Sequence, residues 1–240
     1  MKLLSFTLFL LISLIGMGQD LQHGLIMPVG NKSKDHFHIP KAGLPVFDGP
    51  EGKHLGKITG YLSFTRDNDA IVRLYFIDKE TESPDPFDLS LFTEVGYEMY
   101  AIPYFDRKAE AVRVLNNDFN YWIKLEDLKA TDFQALSWPG FLLRQQKWLL
   151  GYYAIDPGLN LRASAGTDSE VIQVLRGNLF EINLTTEIDG LWYKVKVKQY
   201  KKHPCEGMDD PDNLIKEYTG WIKLTDEAGR PNVWYYSGGC

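Results

Sequence analysis

Three things are scarce in this chain: long apolar runs, positive charge and cysteine. The one long apolar stretch, Leu3 to Ile15, stands at the start and is shorter than the roughly 20 residues a membrane-spanning helix needs. No second run follows, so no membrane span is expected in the mature chain. Acidic residues outnumber basic ones by 32 to 26, and a net acidic surface repels nucleic-acid phosphates and anionic lipid. No nucleic-acid partner is expected. A Gly-x-Ser-x-Gly elbow, a His-Glu-x-x-His pair and a phosphate-cradling glycine loop are all missing, and with them the usual marks of a hydrolase or a nucleotide enzyme. The sequence assigns no catalytic residue, no metal and no cofactor, and it reads as non-enzymatic.

What is present begins with an export signal. Lys2 precedes the apolar run and Gly16-Met17-Gly18 follows it, the pattern of a secretory leader over residues 1–18 cleaved near Gly18–Gln19. The alternative is an uncleaved anchor helix, which would have to be unusually short. No cysteine stands at the cleavage point, which argues against a lipid anchor. The expected location is the periplasm or the exterior. The whole chain is 44% hydrophobic and 13% aromatic, and the remainder after the leader has ample core material for one large or two small domains.

Cys205 and Cys240 are the two cysteines. In an oxidising compartment an even pair reads first as a disulfide. It would close a loop of about 35 residues, worth ~3–4 kcal/mol in the chain-entropy model. The rival reading is a reactive thiol, suggested by His203 two residues earlier, but no oxyanion-hole or orienting residue accompanies the pair.

Period-two alternation dominates the mature chain. Ala70 to Phe76, Glu110 to Leu115 and Leu191 to Lys198 alternate apolar and polar residues, placing one set on a buried sheet face and the other in water. Asp48-Gly49-Pro50, Asn116-Asn117-Asp118, Asp156-Pro157-Gly158 and Asp189-Gly190 punctuate the runs as turns. Short helices are expected only near Asp85 to Thr93 and Leu125 to Phe133. The fold class is all-β.

Two markers recur in the same order. Gly43-Leu44-Pro45-Val46 with Leu55-Gly56-Lys57-Ile58 is echoed by Gly158-Leu159-Asn160-Leu161 with Val171-Ile172-Gln173-Val174-Leu175. Trp122-Ile123-Lys124-Leu125 then returns as Trp221-Ile222-Lys223-Leu224. One fold used twice is expected: an extension over residues 19–36, a first unit over 37–130, a connector over 131–150 and a second unit over 151–240. Within the connector, Phe141 to Leu143 and Trp148 to Leu150 are apolar enough to be strands, so the units are expected to pack together.

The second unit resembles bacterial SH3 (SH3b) domains. The markers are the Leu159-Asn160-Leu161-Arg162 strand, the Ser/Gly-rich loop Ser164 to Ser169, Val171-Ile172, the turn Leu175-Arg176-Gly177, Leu191 to Val195 and Gly220-Trp221-Ile222. Residues Lys198 to Tyr218 form an insertion containing Cys205. The first unit keeps only the outer markers, with Pro45 and Phe47 where the family has Asn and Arg. The resemblance implies two small β-barrels in tandem that bind peptides or cell-wall components, or act as spacers, and do no chemistry themselves.

Three clusters remain. Asp35, His36 and His38 are suggestive of a metal site, but structural zinc normally takes about four ligands, and an exposed polar edge accounts for them. The acidic stretch Glu206 to Asn213 lacks the spacing of a calcium loop and reads as a solvated turn. Aromatic residues crowd the C-terminal half, more than one small core face can hold. Either the tail Val233 to Tyr236 packs between the units or some of these rings line a groove. The groove candidates are Tyr193, Trp221, Trp192 and Tyr153, with Arg162 beside them, and the expected partner is a peptide, a cell-wall fragment or a protein. A rigid spacer or assembly subunit is the other reading.

Overall fold

The computed structural model describes residues 23–30, 37–40, 42–64, 70–96, 99–146, 151–207, 210–227 and 229–236. The segment expected to be a leader with its expected cleavage point, the strand expected at Trp148 to Leu150, and Asp35, His36 and Cys240 lie outside them. The chain divides into two units, Leu21–Ser137 and Trp138–Cys240, and is all-β, with short helices only. Among the described residues no helix is long and apolar enough to cross a membrane.

The first unit contains β1 (Gly24–Pro28), β2 (Phe37–His38), β3 (Leu44–Phe47), β4 (His54–Phe64), β5 (Ala70–Asp78), β6 (Pro84–Pro86), β7 (Thr93–Gly96), β8 (Met99–Lys108), β9 (Ala111–Val114), β10 (Trp122–Lys124), α1 (Leu125–Ala130) and β11 (Phe133–Ser137). Its main sheet runs β11-β1-β8-β9-β10-β3-β4-β5-β6. Ile26, Leu44, Val46, Ile58, Ile102, Val112 and Ile123 are fully buried, each such side chain contributing about 1.5–3 kcal/mol over leaving it in water. The second unit contains α2 (Trp138–Gln145), β12 (Tyr152–Arg162), β13 (Val171–Asp189), β14 (Trp192–Tyr200), β15 (Leu214–Lys223) and β16 (Val233–Tyr235). Here β13 pairs β14, β14 pairs β15, β15 pairs β12 and β12 pairs β13. The pairings close into a ring, and β16 adds to the outside of β12. Its core is Leu161, Leu175, Ile182, Val195, Val197 and Ile222.

The sequence echo is an echo of register. In the first unit Leu44 faces Ile58, Pro45 faces Lys57, Val46 faces Gly56 and, after a one-residue shift, Phe47 faces His54. In the second, Leu159 faces Leu175, Asn160 faces Val174, Leu161 faces Gln173 and, after the same shift, Arg162 faces Val171. Phe47 then pairs with Trp122 and Arg162 with Trp221. Trp122, Ile123 and Lys124 face Arg113, Val112 and Ala111, as Trp221, Ile222 and Lys223 face Lys194, Tyr193 and Trp192. Both hairpins turn through two residues, pairing Lys108 with Ala111 and Asp189 with Trp192, and the first loop residue, Ala109 or Gly190, has positive φ. The units differ where β13 is one long strand. Its two halves correspond to β4 and β8, which an excursion containing β5, β6 and β7 separates. The first unit's pairing path is accordingly open.

Several expectations need correcting. The segment read as an extension contributes β1, whose five residues are all buried between β11 and β8. The connector is not a linker: β11 belongs to the first unit and α2 to the second. Phe141 to Leu143 are helical rather than extended, with Pro139 in the first helical turn, where a missing N–H costs nothing. The helix expected near Asp85 to Thr93 reduces to a 3₁₀ turn at Leu89–Leu91, whereas the one at Leu125 is formed. Asp156-Pro157-Gly158 does not end a strand but lies inside β12, where the register breaks between Ala154 and Leu159. Much of the insertion is strand, since β14 and β15 remain paired from Lys198–Glu217 to Tyr200–Leu214.

Candidate functional site

The principal cleft of the second unit is built by its last strand. Tyr235 pairs with Tyr152, Trp234 with Tyr153 and Val233 with Ala154. Alternation buries Tyr152, Ala154, Val233 and Tyr235 and leaves Tyr153 and Trp234 half-exposed. Tyr236 follows, and its hydroxyl donates to the Phe180 carbonyl at 2.7 Å and the Asn178 carbonyl at 3.2 Å. Its ring lies 5.6 Å from that of Tyr153 and meets the His203 imidazole edge-on at 5.0 Å. Trp234 is steadied from behind by Phe141, stacked at 5.9 Å, and Trp138, edge-on at 5.8 Å. Together with Asp156 and Asn178, these rings bound a cleft of about 630 Å³. Its lining includes one carboxylate, Asp156, and neither Lys nor Arg.

Two polar arrangements stand near these rings. Glu181, 8% exposed, accepts from the Tyr200 hydroxyl at 2.5 Å, the Asn183 amide at 2.7 Å and the Lys198 ammonium at 3.4 Å. Burial, and secondarily Glu181, push the Tyr200 and Tyr236 phenols well above the usual tyrosine range, so both remain neutral donors. His203 is carried by the loop between β14 and β15, and Asn213, 3% exposed, closes that loop. Its side chain accepts from the Lys202 amide at 2.9 Å and donates to the Lys202 carbonyl at 3.3 Å. Gly207 fits beneath because a Cβ there would stand 2.1 Å from the Asn213 amide nitrogen.

The groove candidates separate. Tyr153 lies in this cleft. Tyr193 does not present a groove surface: it is 4% exposed and shares the inward face of β14 with Val195 and Val197, as Val112 does in the first unit. Trp221 is half-exposed, opposite Arg162 and Lys194, and lines neither described cleft. Trp192 and Arg162 border a second cleft of about 430 Å³. There the Lys223 ammonium lies 5.6 Å from the Trp192 ring and 2.5 Å from Glu227. The Arg162 guanidinium is committed to its own loop, donating to the Ser169 carbonyl at 2.6 Å, while Ser164 and Ser169 join their hydroxyls at 2.9 Å.

The first unit has a cleft of about 670 Å³ along β3, β4 and α1, bordered by His54, Lys57 and Asp127. One Asp127 carboxylate oxygen is buried without a hydrogen-bond partner, and burial, reinforced by Glu126, raises its pKa. Among the described residues no three His, Cys, Asp or Glu side chains gather to hold a metal. Cys205 has an interaction partner, and its backbone amide donates to His203 Nδ1 at 3.2 Å. That nitrogen is therefore occupied by the Cys205 backbone N–H.

No family model, no curated protein and no solved structure matches the chain. Trp234, Tyr236 and His203 were not singled out as groove residues from sequence. Their juxtaposition depends on β16 lying along β12, a long-range pairing that no local pattern announces. The burial of Tyr193 was open to reading, since it has the same parity as Val195 and Val197.

Proposed function

We propose that the chain is an exported, non-catalytic binding protein of the SH3b kind, whose second unit holds a peptide, cell-wall fragment or protein segment against Tyr153 and Trp234, with Tyr236 packed beside them. The observation that carries this reading is the aromatic cleft itself. Tyr153 and Trp234 are half-exposed and pack beside Tyr236, itself 6% exposed and fixed by its hydroxyl bonds, so these two rings offer contact area at little cost in conformational entropy. The shared register of the two units supports the tandem-module part of the proposal. Cys205 pairs with Cys240 in this reading, tying the segment after Tyr236 to the His203 loop. Retention on insoluble peptidoglycan, alongside native co-purification from the envelope, tests the reading. Tyr153→Ala is expected to reduce whichever capture the parent shows by about tenfold. A parent that binds neither, or a Tyr153→Ala variant that binds as the parent does, sinks it.

A further inference from the structure

The two units, aligned by register, differ in how they treat one strand edge. In the first unit β4 pairs with β3 on one side and along its other edge with β5, from Gly56–Asp78 through Phe64–Ala70. In the second unit the counterparts of Gly56 to Thr59, Gln173 to Arg176, together with Val171 and Ile172 before them, have β12 as their one strand partner, because β13 meets β14 only from Phe180 onward. Among the described residues nothing pairs with the outer edge of Val171–Arg176. Thr59, opposite Tyr75 of β5, is 3% exposed, whereas its counterpart Arg176 is exposed; Lys57, the counterpart of Val174, is exposed in the first unit as well. Val171, Ile172 and Val174 remain 41%, 39% and 41% exposed.

An uncovered edge bearing β-branched apolar residues is an invitation to pair, and proteins ordinarily blunt such edges with proline, charge or brevity. The first unit does so: β5 is capped by the three-residue β6, Pro84-Asp85-Pro86, fully exposed and ended by two prolines. The run Val171-Ile172-Gln173-Val174-Leu175 has neither proline nor charge. The Val174 carbonyl takes a hydrogen bond from the Gln173 side-chain amide at 3.2 Å, a bond an incoming strand displaces.

We infer that Val171–Arg176 is a strand-addition site, occupied by an extended segment of a partner protein that lies antiparallel along β13 as β5 lies along β4. The occupant's chemistry is that of β5: β-branched, aliphatic and aromatic residues, supplying backbone hydrogen bonds and apolar cover for Ile172 and Val174. One position differs. A Cβ on Gly56 would stand 2.2 Å from the Ile77 carbonyl oxygen, and Gln173 occupies the corresponding place, so the added strand bows outward there. This site is independent of the aromatic cleft.

The probe is a synthetic peptide with the β5 sequence, Ala70–Asp78, added to the purified protein while amide hydrogen exchange is followed by residue. The expected result is saturable slowing of exchange at Val171–Arg176, by about tenfold or more at excess peptide. Ile172→Lys and Val174→Lys, both at exposed positions, should each weaken the peptide's binding about tenfold, while Val174→Thr retains it. The exchange of β14 and β15 amides reports that each variant is folded. No slowing at Val171–Arg176, slowing confined to other segments, or unchanged binding by both folded lysine variants overturns the inference. So does protection that needs no peptide and grows with protein concentration, because a second copy then occupies the edge.

Discussion

Trp221 stands opposite Arg162, and that single pairing closes the second unit's strands into a ring. Its counterpart in the first unit is Trp122 opposite Phe47. The two tryptophans occupy one register position yet differ in burial, Trp122 being 3% exposed and Trp221 half-exposed. Trp122 also donates its indole N–H to the Asn120 side chain at 3.0 Å. Truncating Trp122 to alanine is expected to cost about 3–5 kcal/mol, and Trp221→Ala distinctly less. Denaturant unfolding of the two variants measures the difference. Equal losses would show that the shared register does not translate into the packing described.

Much of this architecture was legible because the signal is local. Val195, Val197 and Ile222 alternate with polar neighbours, and alternation is a property of a strand whatever surrounds it. The Trp-Ile-Lys echo was legible because pairing register constrains sequence at its two ends. The excursion from β4 to β8 was not, since an insertion between paired strands leaves both markers intact. The helical state of Phe141 to Leu143 was not, because a short apolar run carries no period of its own. The cleft was the least readable part, as Tyr236 reaches Phe180 across more than fifty residues of sequence.

The His203 loop depends on one buried amide. Asn213 makes both of its side-chain bonds to the Lys202 backbone, and losing it leaves a buried donor and acceptor unpaired, at about 1–3 kcal/mol. Asn213→Ala should therefore free the loop without unfolding the second unit. The expected readout is faster amide exchange over Lys201–Gly207, with β12 and β13 unchanged. Uniform loss of protection would mean that the loop is part of the global fold.

Alkali should destabilise the protein through its buried phenols. Tyr104, Tyr152, Tyr200 and Tyr236 all have pKa values raised from 10.0, by burial first in each case. The unfolded chain ionises these groups near their ordinary value while the folded chain does not. The stability they confer is thus present below about pH 10 and is lost as the pH rises beyond it. Ultraviolet titration should show a slow phenolate fraction appearing together with unfolding, and Tyr200→Phe should make it smaller. Reversible ionisation of every tyrosine in the folded protein would contradict this account.

The proposed Cys205–Cys240 bridge makes a measurable claim about the cleft. Intact mass after alkylation should show no added label without reductant and two labels with it. Because the bridge would anchor the residues following Tyr236, reduction should loosen the tail first. The Tyr236 bonds to Phe180 and Asn178 remain after reduction, however, and β16 keeps its pairing with β12. The expected outcome is therefore partial: ligand capture through Tyr153 weakens severalfold on reduction, while the thermal midpoint falls by about 4–8 °C for each kcal/mol that the closed loop contributes. Labelling of either cysteine in the unreduced protein would remove the bridge, leaving the tail held by strand pairing and the two Tyr236 hydrogen bonds alone.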